Sequence, residues 1–171
     1  MDIYILVLRI IHIFGGVFWV GAAWMTAGFL LPTAEAIGSD AEKFMTYINV
    51  KRRYPTFIGI AAGFNMLAGF LLYWRDSAGL RLIWITTPTG LAETFGALCA
   101  IVGSALGFRL VAPMINEFAR MGHELHSAGK PPSGDQLAKF QQVQKRLDRA
   151  ERIVAGLLGL ALLAMATARY L

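Results

Sequence analysis

The chain has 171 residues, of which 56% are hydrophobic and 16% charged, with a mean hydropathy of +0.53. Ordinary soluble domains run about 45–50% apolar and about 25% charged, so this surplus of apolar side chains points away from a soluble domain and toward a bilayer. The formal charge of +5 fits a membrane chain that keeps Lys and Arg on its cytoplasmic side, and no nucleic-acid partner is expected.

The N-terminal Met1-Asp2-Ile3 carries no basic n-region, and the apolar run behind it is far longer than the core of a signal peptide, so it reads as a retained span. A span needs about 20 largely apolar residues. Four stretches meet or approach that, over about 3–31, 55–74, 91–115 and 152–170. The fold class expected is therefore all-α, an integral membrane four-helix bundle forming one domain over 1–171.

The loops set the orientation. The first and third carry eleven basic residues, Lys43, Lys51, Arg52 and Arg53 and then seven between Arg120 and Arg152, against three on the other side, Arg75, Arg81 and Arg169. By the positive-inside rule both termini face out and the basic loops face the cytoplasm of a bacterial inner membrane. Tyr73, Trp74 and Trp84 fit an outer aromatic belt.

Between the third and fourth spans, residues 116–151 read as a cytoplasmic helical hairpin. Phe118, Met121 and Leu125 continue at helical spacing; after the Gly129-Lys130-Pro131-Pro132 break, Leu137, Phe140, Val143 and Leu147 do the same. Ser133 with Gln136 three residues on is a capping-box signature. Small residues recur where helices would touch: Gly59 with Gly63, and Gly96, Ala100, Gly103 and Gly107 along one face of the third span.

His12 is the most informative position, because it is the one histidine in the four spans and ionisable groups inside a membrane are costly. Counting from Ile3 at about 1.5 Å per residue places it about 14 Å deep, near the midplane. Arg9, Gly15, Gly16 and Trp19 share its helix face. Two readings stand side by side. In one the face is a haem b site, with His12 as axial ligand, Arg9 pairing the propionates, Gly16 leaving room for the macrocycle, and Met66 or Cys99 supplying a second ligand. In the other the ring bonds to a neighbouring helix carbonyl or to Asn65, and Arg9 pairs with Glu93. Glu93 also suits the N-terminus of the third helix, and Arg109 reads as a snorkelling residue.

The remaining candidates carry blander readings. His123 and His126 lie three apart in Met121-Gly122-His123-Glu124-Leu125-His126, without the order of a zinc peptidase or an obvious third ligand, and read as a solvated helix face. The seven methionines are scattered rather than set in a Met-x-x-Met run, so core filling accounts for them better than copper.

The string Leu8-Arg9-Ile10-Ile11-His12-Ile13-Phe14 followed by Phe18-Trp19-Val20-Gly21 resembles the first-helix signature of a superfamily of small bacterial membrane proteins. It includes the membrane domain of copper-resistance protein D, the four-helix protoporphyrinogen oxidase of the HemJ type and an uncharacterised group. Gly69-Phe70-Leu71-Leu72-Tyr73-Trp74 and the closing Ala168-Arg169-Tyr170-Leu171 are most similar to that last group. The resemblance implies four helices and a haem-associated histidine at His12. The chain departs from the oxidase branch in having neither lysine nor histidine between Leu91 and Ile115.

Three functions are thus expected in turn. The first is a haem b protein for electron transfer or for oxidation of a lipophilic donor. The second is a non-catalytic accessory subunit, bound through its small-residue faces and hairpin to a larger membrane complex or to copies of itself. The third is a copper-handling membrane protein. Membrane lipids are partners under all three.

Overall fold

The computed structural model describes residues 2–37, 41–127 and 133–171, with the side chains of Glu42, Leu125 and His126 outside that description. Among the described residues every regular element is helical. Helix α1 runs Ile3–Ile37, α2 covers Ala41–Thr46 and Tyr47–Lys51, and α3 is Tyr54–Asp76. A single turn, α4, spans Leu82–Ile85. Helix α5 runs Pro88–Leu106 and continues through Gly107–Val111 into Ala112–Ser127, and α6 is Gly134–Ala168. Four of these, α1, α3, α5 and α6, are long and apolar enough to cross a membrane.

The spanning helices run up and down in sequence order. On α1, Gly15 faces Ala61 and Asn65 of α3 while Thr26 meets Tyr54, so position rises on one helix as it falls on the other. Trp24 donates its indole N–H to the Ala155 carbonyl of α6 (2.9 Å), and on α5 Gly96 faces Ala161 and Gly103 faces Leu158. Helix α1 packs along α3 and α5 along α6 over most of their lengths, whereas α3 and α5 meet only sparsely. A hydroxyl pair, Tyr73 Oη with Thr94 Oγ1 at 2.6 Å, ties that seam at the end nearest the chain termini.

The interior is built from small residues around a few large ones: Trp19, Val20, Ala23, Ala62, Leu147, Val154 and Leu158 form its main cluster. Large apolar side chains instead cover the outside, among them Phe14, Phe29, Phe57, Phe64, Phe70 and Leu163. This inverted distribution suits a lipid environment, where no hydrophobic drive separates tails from Leu or Phe and close backbone approach holds helices together. The chain is a multi-pass membrane protein by this pattern.

Several expectations are met and others corrected. Ser133 and Gln136 form the capping box: Gln136 N–H donates to Ser133 Oγ at 3.3 Å, and Ser133 N–H to Gln136 Oε1 at 2.9 Å. The hairpin arms pack, with Phe118 and Phe140 rings stacked at 4.5 Å. The Gly129-Lys130-Pro131-Pro132 break lies outside the described residues. The first span does not stop at Leu31: α1 passes through Pro32 to Ile37. A π turn over Thr26–Leu30 makes this possible, as the Leu31 N–H reaches back five residues to Thr26 O and the widened turn eases the clash that the proline ring makes with the carbonyl four residues before it. Helix α5 repeats the device, with a π turn over Gly107–Val111, an Ala112 N–H bonded to Gly107 O, and Pro113 next.

Of the two GxxxG pairs, the one on α3 seats no helix. A Cβ at Gly63 would meet nothing within 4 Å and one at Gly59 only the Phe108 ring, whereas Gly96, Ala100 and Gly103 are buried against α6.

Candidate functional site

The ring of His12 lies half-buried against α3, with Nδ1 at 3.0 Å from the backbone oxygen of Asn65. A carbonyl only accepts, so Nδ1 carries the proton and Nε2 keeps its lone pair. Gly69, one turn further along α3, makes the space: a Cβ there would stand 2.7 Å from His12 Cε1 and 3.0 Å from Nδ1. The surface that the sequence reading leaves for a flat macrocycle is filled by α3, since a Cβ at Gly16 would lie 3.1 Å from Asn65 Oδ1 and one at Gly15 3.3 Å from Asn65 Cβ. Asn65 itself is buried, and its Oδ1 has no hydrogen-bond partner among the described residues.

The other expected haem contacts do not join His12 around one space. Arg9 is exposed, and it makes no ion pair with Glu93 within the 4.0 Å of a salt bridge. Met66 packs between the Trp19 cluster and a second one of Cys99, Ala100 and Ala161. Of the haem set, His12 alone therefore has the geometry of a ligand: a fixed ring and an uncommitted Nε2. His123 is exposed and the side chain of His126 lies outside the described residues. Among the described residues no three His, Cys, Asp or Glu side chains cluster as a metal site would need.

A different feature dominates the interior. Below Trp19, toward the hairpin, the helices part around a cavity of about 740 Å³. Its walls are Trp19 and Ala23 of α1, Ile58 and Ala62 of α3, Gly103 and Gly107 of α5, and Leu147 and Val154 of α6; α2 and the hairpin close its far end through Met45, Phe118 and Phe140. The π turns among the described residues, Thr26–Leu30, Tyr47–Lys51 and Gly107–Val111, each border it, through Thr26 and Leu30, Ile48 and Asn49, and Phe108 and Val111. Such insertions are frequent at functional sites, where they re-aim side chains at the cost of regular hydrogen bonding.

The lining is mainly apolar, with Glu35, Asn49, Gln141, Gln144 and Lys145 toward α2 and the hairpin and a smaller polar set among the spanning helices. Glu151 is only 7% exposed, lines the cavity, and has no hydrogen bond or ion pair to any described residue. Ser104 Oγ is fully buried without a partner. Opposite, Tyr54 Oη and Thr26 Oγ1 both donate to the Ala22 carbonyl, at 3.0 and 2.9 Å, and stand 3.0 Å from each other. The cavity can thus hold an apolar body and bind one polar end. Sequence reasoning did not single out Glu151, the last residue of the expected hairpin segment 116–151. The signal was there: Val143, Leu147 and Glu151 follow at i, i+4 and i+8, on the buried face of α6.

Comparison of the chain with family models, with curated proteins and with solved structures finds no match.

Proposed function

We propose that this chain binds a lipophilic small molecule inside the membrane, in the cavity between its four spanning helices, with the hairpin end toward the cytoplasm of a bacterial inner membrane. The observation that carries this reading is the 740 Å³ chamber with a buried, unpartnered carboxyl on its wall. Ligand pockets are mostly apolar concavities of about 300–1,000 Å³ with a few placed polar groups. Burying Glu151 without a partner is costly, and a ligand's polar end would offset that cost. The test is extraction of the purified protein with organic solvent and mass spectrometry of the extract. One lipophile per chain is expected, lost when Ala62→Phe fills the cavity; an extract indistinguishable from bulk lipid in both proteins refutes the reading.

A second reading, haem b on His12, is favoured by the hydrogen bond from Nδ1 to the Asn65 carbonyl. Metal-bound histidines characteristically donate their other ring N–H in this way, which fixes the tautomer and aims the ligating nitrogen. Bound there, haem would supply one-electron chemistry to a lipophilic donor. An absorption spectrum before and after dithionite, beside His12→Ala, decides it: a Soret band and reduced alpha band lost in the variant support haem, and a featureless spectrum from folded, haem-supplied protein rejects it.

A further inference from the structure

The chemistry of the cavity wall narrows what the occupant is, on the premise that the cavity binds a lipophile at all. Toward the membrane, Glu151, Ser104, Tyr54 and Thr26 offer hydrogen bonding, while Glu35, Asn49, Gln141, Gln144 and Lys145 line the cavity where α2 and the hairpin close it. Glu151 makes no ion pair with any described residue, although Lys145 lines the same cavity, and an unpaired carboxylate in mainly apolar surroundings is far costlier than a carboxylic acid, which both donates and accepts. Ser104 Oγ, without a partner, also donates and accepts. Tyr54 and Thr26 spend their protons on the Ala22 carbonyl, so toward the cavity they offer lone pairs. The wall therefore presents acceptors on one side and donor–acceptor groups on the other.

A ligand head that satisfies both sides must itself donate and accept. A hydroxyl does so. An ether or ester only accepts, a quaternary ammonium offers no hydrogen bond, and a carboxylate or phosphate accepts only and meets Glu151 as a potential like charge. The α3–α5 seam is sparsely packed: Tyr73 and Thr94 tie it at one end, and toward the cavity the bare Gly59 faces the exposed ring of Phe108, where an added Cβ would lie 3.7 Å from Cε1. We infer that the cavity takes an uncharged lipophile carrying a hydroxyl, admitted sideways from the bilayer between α3 and α5 and anchored by Glu151 and Ser104.

The test uses the full chain in phosphatidylcholine nanodiscs and four probes with one tail and different heads: para-decylphenol, para-decylanisole, decyltrimethylammonium and decanoate. Retained probe is measured by mass spectrometry against empty nanodiscs. The phenol is expected to bind saturably at one per chain, the anisole about tenfold more weakly, and the two ions no more than to empty discs. Glu151→Leu, which replaces a buried unpartnered polar group with an apolar one of similar size and so leaves folding intact, is expected to weaken phenol binding about tenfold. Glu151→Gln keeps a donor and an acceptor and stays within about threefold. Phenol and anisole binding alike, an unaffected Glu151→Leu protein, or a preferred cation lost in Glu151→Gln would each overturn the hydroxyl assignment while leaving the cavity as a lipophile site. Saturable binding of no probe, with Ala62→Phe indistinguishable from the parent, would remove the cavity reading itself.

Discussion

At the scale of single residues, His12 and Gly69 act as one contact. The ring occupies the volume a side chain at 69 would take, and its Nδ1–H bonds a carbonyl whose helix it thereby holds close to α1. A methyl group at 69 forces the ring aside and loosens that bond, so Gly69→Ala is expected to destabilise the protein by about 1–3 kcal/mol. Since the penalty comes from the ring, Gly69→Ala made in a His12→Ala background should cost much less; thermal unfolding of the four proteins in one detergent measures the coupling. Additive effects would mean that the two side chains do not meet. His12 was readable in the sequence as an intramembrane histidine bonded across helices, because polarity in an apolar run stands out. Its partner was not, because Gly69 carries no chemical signal and sits in a string that reads equally well as an ordinary span. Glu151 was missed for the opposite reason: it lies among five other charges between 145 and 152, Lys145, Arg146, Asp148, Arg149 and Arg152, and only the four-residue spacing with Leu147 marks it as inward.

At the scale of the elements, glycine and proline decide how the helices pass one another, and the sequence discloses this unevenly. Small residues one turn apart look the same as strings on α3 and α5, yet a Cβ at Gly96 would sit 2.9 Å from Met165 Cγ and 3.1 Å from the Ala161 carbonyl, while one at Gly63 would meet nothing within 4 Å. Gly96→Ala should therefore lower the unfolding temperature, the methyl pressing on backbone that cannot rotate away. Gly63→Ala should leave it unchanged or raise it, since alanine is favoured over glycine in a helix by about 1 kcal/mol. Equal shifts in the two variants would contradict the packing described. The capping box on α6 was fully readable, being a local pattern. Ser133→Ala removes the acceptor for the Gln136 N–H and is expected to cost about 1 kcal/mol, seen as faster hydrogen exchange in the first turns of α6 with the buried segment near Leu158 unaffected. The expected first span stops at Leu31, just before Pro32, whereas the third runs through Pro113; the π turns that accommodate both prolines leave no signature in the residues themselves.

At the scale of the whole molecule, length argues for how the bundle sits in a bilayer. Helix α6 has 35 residues, which at about 1.5 Å each is about 52 Å, against about 30 Å of hydrocarbon. About 20 Å must therefore project, and the charges say which end: the first half of α6 carries Lys139, Lys145, Arg146 and Arg149, the second half none between Ile153 and Ala168. The bundle thus has an apolar end near the termini and a basic end at the hairpin, and the cavity lies between them, its upper wall Trp19 and its floor the stacked Phe118 and Phe140. The orientation proposed above, with the basic end in the cytoplasm, follows the positive-inside rule and is open to test. In a Cys99→Ala background, a membrane-impermeant maleimide should label Leu171→Cys in spheroplasts of intact cells and Lys139→Cys only after lysis. The reverse pattern would put the hairpin and the cavity floor outside, and would leave the α3–α5 seam as the one feature of the proposed access route that does not depend on orientation.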